Sequence, residues 1–158
     1  MFSISARLFD LPDERELAQK LGLEPGGRVQ RYIDQTVIDF CQPYVPASPD
    51  RTLEFSAQVS TEIGSGTVVW NTPYAHYQYM GIVYGPNIPI LMPLVNSGDS
   101  VLLGFFSPPG RPKHPTDREL TYDKSQNPMA GPHWVERMKA DRLDELIEGA
   151  KRVMAGKG

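Results

Sequence analysis

Residues 68–85 read VVWNTPYAHYQYMGIVYG and bring Trp70, Tyr74, His76, Tyr77, Tyr79 and Tyr84 into one short stretch. Indole and phenol rings could stack on nucleic-acid bases, a histidine beside them could move a proton, or the whole run could anchor a packed joint. Stacking platforms interleave their aromatics with Lys and Arg that hold the phosphates. Residues 62–110 contain no Lys or Arg, which weighs against bases. His76 has no second histidine, cysteine or carboxylate cluster at a spacing that would make it a catalytic or metal-binding group. A buried or interfacial anchor remains, because Tyr and Trp combine a large contact area with a hydrogen-bonding tip.

The other reactive residue types give bland readings. His76, His114 and His133 never fall at i and i+4, so no two share a helical face as metal ligands. Cys41 is the single cysteine; it lies on an apolar helical stripe, where a free thiol packs as a small hydrophobe. GSG at 64–66 lacks the Gly-Lys-Ser/Thr that completes a phosphate loop and precedes a strand pattern rather than a helix, so it is a turn. Acidic residues at 10–16, 34–50 and 141–148 mostly occupy positions that a helix would turn to water, and no pair for acid-base work can be singled out. No cofactor, metal or catalytic constellation is expected.

These residues need elements to position them. Phe2, Ile4, Ala6 and Leu8 alternate with polar neighbours, as in a half-buried strand. Pro12 and Asp13 then open a short helix through DERELAQKL, closed by Gly22. Val29, Tyr32, Ile33, Thr36, Val37, Phe40 and Cys41 recur at helical spacing and predict a long amphipathic helix over about 26–42, stopped by Pro43. Residues 53–63 and 67–70 predict two strands of a hairpin joined by GSG. Thr72 as N-cap and Pro73 at the first position predict one or two helical turns ended by Gly81.

Residues 88–95 and 101–106 predict a second hairpin around Asn96, Ser97, Gly98 and Asp99. SPPGRPKHPTDR predicts an exposed proline-rich loop or arm at 108–119, followed by a short strand at 120–122. Val135, Met138, Leu143, Leu146, Ile147, Ala150, Val153 and Met154 form the stripe of a second long helix, about 132–155. The expected fold is α+β: two long amphipathic helices on a small antiparallel sheet, in one domain of 158 residues.

Composition sets further bounds. The formal net charge of -3 disfavours broad wrapping of nucleic acid. No stretch approaches the 18 or so apolar residues of a membrane span, and MFSISARLFD has neither a basic leader nor a long apolar core, so a soluble protein made where it folds, with no membrane partner, is expected.

A combination of segments resembles a known family. PYVP at 43–46, TL at 52–53 with Ser56, GSG at 64–66, VWNTPYA at 69–75, YMG at 79–81, NP at 127–128, AGPHW at 130–134 and RM at 137–138 together look like the minor capsid proteins of tailed bacteriophages, which are similar to tail-completion and head-tail connector proteins. The likeness covers residues 26–150, and PYVP, TPYA and AGPHW in combination are far more specific than any one alone. It implies a structural virion protein without catalysis, assembled in the host cytoplasm. It also implies a homo-oligomeric ring, a hexamer or dodecamer, at the neck. Portal-side and tail-tube proteins would be its neighbours, and DNA would pass through the lumen without sequence-specific binding. Tyr44, Tyr77, Tyr79, Arg111, Lys113, His114 and Arg118 are the candidate contacts with subunits or neck partners. The chain departs from the family pattern at Asp50-Arg51, where a glycine usually precedes the Thr-Leu step, and in a longer, proline-rich 86–110 segment. A small nucleic-acid-binding module using Arg111, Lys113, His114 and Arg118 is the alternative.

Overall fold

The computed structural model describes residues 2–5, 14–94 and 98–156. Residues 6–8 of the expected first strand, the Pro12 and Asp13 helix opening, and Asn96 and Ser97 of the second hairpin turn lie outside the described residues. The elements in chain order are β1 (Phe2–Ser5), α1 (Glu14–Leu21), α2 (Arg28–Cys41), a 3-10 turn (Gln42–Tyr44), α3 (Thr52–Ser60), β2 (Thr67–Trp70), α4 (Ala75–Met80), β3 (Ile82–Gly85), β4 (Ile88–Pro93), β5 (Ser100–Phe106), β6 (His114–Glu119) and α5 (Trp134–Met154). This is an α+β fold with, among the described residues, three two-stranded antiparallel sheets. The chain divides into two compact units, residues 1–80 with 121–158, and residues 81–120.

The first unit is built on α2 and α5. Val29, Ile33, Val37, Ile38 and Cys41 of α2 and Trp134, Val135, Met138, Leu146 and Ala150 of α5 are buried in one cluster with Leu53, Ala57, Val68, Trp70 and Tyr79. Both helices fall within about two residues of their expected ends. Phe40 is only half-buried and Leu143 is exposed, so each stripe is narrower than its sequence pattern. The start of α2 is tied down by the Gly22 carbonyl, which accepts from Val29 N–H at 2.9 Å and Gln30 N–H at 3.1 Å, meeting two donors that lack intrahelical partners.

Residues 53–63 correct the expected strand. They contribute most of α3, and β2 pairs with β1 (Phe2 opposite Trp70, Ser5 opposite Thr67) instead of completing a GSG hairpin. The buried residues of α3 are Leu53, Glu54, Ser56 and Ala57, so the buried side is small and polar and gives only a weak helical stripe. Thr72 does not cap α4: its hydroxyl has no hydrogen-bond partner among the described residues, and Ala75 N–H bonds the Thr72 carbonyl at 3.1 Å. Gly81 ends that helix at φ 74°, as its place in the sequence predicts.

In the second unit β3 pairs with β6 and β4 with β5. Residues 114–119 are therefore a strand and not part of a free arm, which leaves 107–113 as the connecting loop. The expected strand at 120–122 is absent; Leu120 N–H bonds the Gly81 carbonyl at 2.9 Å but continues no ladder.

Candidate interaction site

Three of the segments that carry the family resemblance meet in the first unit. Tyr44, from PYVP, is buried in the 3-10 turn after α2. Its hydroxyl donates to Asp141 Oδ2 at 2.7 Å, and the Arg137 guanidinium lies 5.4 Å from its ring centroid. That hydrogen bond, aided by burial and the Asp141 charge, raises the phenol above its ordinary value. The Tyr44 carbonyl accepts from Gly131 N–H at 3.1 Å, so PYVP is joined directly to AGPHW.

Tyr79, the buried tyrosine of α4, makes the second junction. Its ring stands edge-on to Trp134 at 4.6 Å and to His133 at 5.3 Å, and its carbonyl accepts from His133 N–H at 2.9 Å. The Tyr79 hydroxyl donates to Glu136 Oε2; burial first, and then this carboxylate, push the phenol upward. Trp70 completes the cluster 5.7 Å from Trp134, again edge-to-face. Edge-on pairs of this kind add about 0.5–1.5 kcal/mol each beyond the area they bury.

Asn127 makes the third. Its side-chain amide donates to the carbonyls of Gln42 at 3.1 Å and Val45 at 2.9 Å and to the buried Glu54 Oε1. It thereby holds the NP segment against both sides of PYVP and against α3. Glu54 Oε2 lies 3.7 Å from Arg51 Nε.

Asp34 is 2% exposed on α2. Its carboxylate accepts from the backbone N–H groups of Gly64 at 2.8 Å and Gly66 at 3.0 Å and from Gln30 Nε2 at 2.8 Å. Gly64 and Gly66 sit at φ 102° and 79°, a conformation open to glycine and strained for other residues. The GSG segment is thus a carboxylate-braced turn. Asp34 is the buried exception in the acidic stretch 34–50, where Asp39 and Asp50 are exposed, and Glu54 is a second buried carboxylate outside the stretches singled out from the sequence.

Cys41 is fully buried, and its thiol is pushed up to about 12, chiefly by burial, with Glu136 adding to the rise and Lys139 opposing it. Such a thiol holds its proton at neutral pH and does not act as a nucleophile. Among the described residues no group of three His, Cys, Asp or Glu side chains is placed to hold a metal ion, and no helix is long and apolar enough to cross a membrane. No protein-family model matches the chain, and no curated protein or solved structure gives a significant match.

The candidate contacts therefore separate. Tyr44 and Tyr79 are buried members of the joint within the first unit. Tyr77 is half-buried on α4, with its ring edge-on to His76 at 5.8 Å. Arg111, Lys113, His114 and Arg118 belong to the second unit, where Arg111, His114 and Arg118 are exposed. Lys113 is half-buried and donates to the Pro86 carbonyl at 3.1 Å and to Asn87 Oδ1 at 3.0 Å. Sequence reasoning missed Asp34, Glu54 and Asn127. For Asp34 a signal existed, since Ile38 and Cys41 follow it at i+4 and i+7 on one helical line.

Proposed function

We propose that the protein is a structural component of a tailed-bacteriophage virion, a minor capsid or neck protein that acts in head-tail joining or tail completion as part of a ring around the DNA channel. The observation that carries this is the convergence of PYVP, VWNTPYA, YMG and AGPHW on one joint, through the Tyr44–Gly131 and Tyr79–His133 backbone hydrogen bonds and the Trp70–Trp134–Tyr79 cluster.

The departure at Asp50-Arg51 supports the same reading. Arg51 sits before α3 at φ 51° and ψ 27°, the left-handed conformation that a glycine adopts without strain. The backbone thus keeps a glycine-like geometry where the family pattern has a glycine. Rigid braced turns and a mildly acidic charge balance suit a ring subunit that must surround a moving polyanion without gripping it.

Particles made by a phage lacking this protein provide the test. Electron microscopy is expected to show full heads and finished tails that have not joined. A normal yield of infectious particles would overturn the proposal, as would finding the protein monomeric within purified virions.

A further inference from the structure

We infer that the β4–β5 hairpin is a self-association surface, covered in the assembled state by the same hairpin of a second copy of this chain. Among the described residues from Ile88 to Phe106, ten large apolar side chains are exposed, from Val101 at 41% to Leu103 at 60%. Leu91, Met92, Leu102, Phe105 and Phe106 are among them, and every described residue of β4 and all of β5 but Gly104 are exposed. At about half exposure, side chains offering on the order of 200 Å² each amount to about 1,000 Å² of apolar surface. Alternation divides this surface between the two faces of the ribbon, so a partner on one face meets about half of it, against the roughly 800 Å² that a standard interface takes from each side; the contact expected is of the smaller, weaker class.

The backbone points the same way. Within the described residues β4 and β5 pair only with each other, and a lone two-stranded ribbon is marginal in water. Leu94 N–H donates inward to the Asp99 carbonyl at 2.8 Å. By strand alternation the N–H positions of residues 92 and 90 also face β5, and those of 93, 91 and 89 face outward. Pro89 and Pro93 occupy two of those three outward places and have no N–H to offer, which blunts the β4 edge against pairing. The outer edge of β5, SVLLGFF, has no proline and no charge. Among the described residues no strand pairs with that edge, and unpaired backbone N–H and C=O groups need polar partners that a hydrocarbon layer cannot supply.

Charge narrows the occupant further. Asp99 is the sole charged residue from 88 to 110, so the patch has no means of attracting a strongly charged macromolecule. Outside the hairpin, exposed large hydrophobics such as Leu17, Phe55, Val59, Met129 and Leu143 are scattered along the chain. The surface of matching size and polarity that the chain itself carries is the same hairpin on another copy, and like packing on like forms a self-complementary contact. The inference concerns how copies meet and stands or falls on the isolated chain, whatever the virion role.

Sedimentation velocity of the full chain over a wide concentration range tests it. The native protein is expected to associate, and Leu91→Lys combined with Leu103→Lys to sediment as a monomer with an unchanged circular dichroism spectrum. Should the lysines disturb folding, Leu103→Ser with Phe105→Ser reads out the same loss of association. Val59→Lys, at a residue 84% exposed on α3, is expected to associate like the native chain. A native protein that is monomeric throughout, hairpin variants that associate undiminished, or a monomer that instead floats with phosphatidylcholine vesicles would each overturn the inference.

Discussion

At Asp34 one carboxylate does the work of a small scaffold. It accepts the N–H groups of Gly64 and Gly66 and the Gln30 amide while almost wholly shielded from water. Removing an acceptor while its donors stay buried incurs the desolvation penalty of those donors, about 1–3 kcal/mol per group. Asp34→Ala is therefore expected to lower unfolding free energy by about 2–4 kcal/mol in urea titrations; a loss below about 0.5 kcal/mol would show that the turn holds itself. The residue types of the joint were legible, since the aromatic run already read as a packed anchor. The polar braces were not, because a carboxylate on a helix faces water unless a distant turn reaches it. The donors to Asp34 lie 30 and 32 residues away, and Asn127 reaches Glu54 across 73.

Between elements, the α2–α5 crossing depends on Gly149. A Cβ placed there would lie 1.9 Å from Tyr32 Oη and 2.7 Å from Cζ, so the ring itself would have to shift. In an open helix Gly→Ala gains about 1 kcal/mol. Here overpacking outweighs that gain, and Gly149→Ala is expected to destabilise by about 1–3 kcal/mol. Pairing it with Tyr32→Ala should leave the added methyl at 149 neutral or favourable relative to Tyr32→Ala alone, which chemical denaturation of the four combinations would check. The long helices were readable because large apolar residues mark their faces. α3 was not: Phe55 and Val59 are 47% and 84% exposed, so the residues that make TLEFSAQVS look like an alternating strand point outward. Leu53, Ser56 and Ala57, at i, i+3 and i+4, form the buried side, and Ser56 Oγ donates to the Leu53 carbonyl at 2.7 Å.

Across the whole molecule, the α+β class followed from helical and alternating periods, but periodicity does not say which strands pair. β2 could pair with a strand across GSG or with the chain start, and both satisfy the same pattern. The exposure of both faces of β4 and β5 was equally hidden, since a strand apolar on both faces ordinarily reads as an interior one. One property is collective and measurable in bulk: response to alkali. Burial raises the Cys41 thiol from 9.0 to about 12 and the Tyr122 phenol from 10.0 to about 12, and Tyr44 and Tyr79 are raised as well. Above the ordinary value of each group the unfolded chain has released a proton that the folded chain retains. Unfolding is then favoured as protons are removed, by up to about 1.4 kcal/mol per pH unit for each group. This contribution to stability is complete below about pH 9 and is lost as pH climbs toward 12. The cysteine begins first, so between pH 9 and 10 most of the loss belongs to Cys41. Urea midpoints are expected to fall steadily from pH 9 to 11 in the native chain, and Cys41→Ala to flatten the first pH unit of that fall whatever its own effect at pH 7. A native midpoint unchanged to pH 11 would mean that these groups titrate in the folded protein as they do in water.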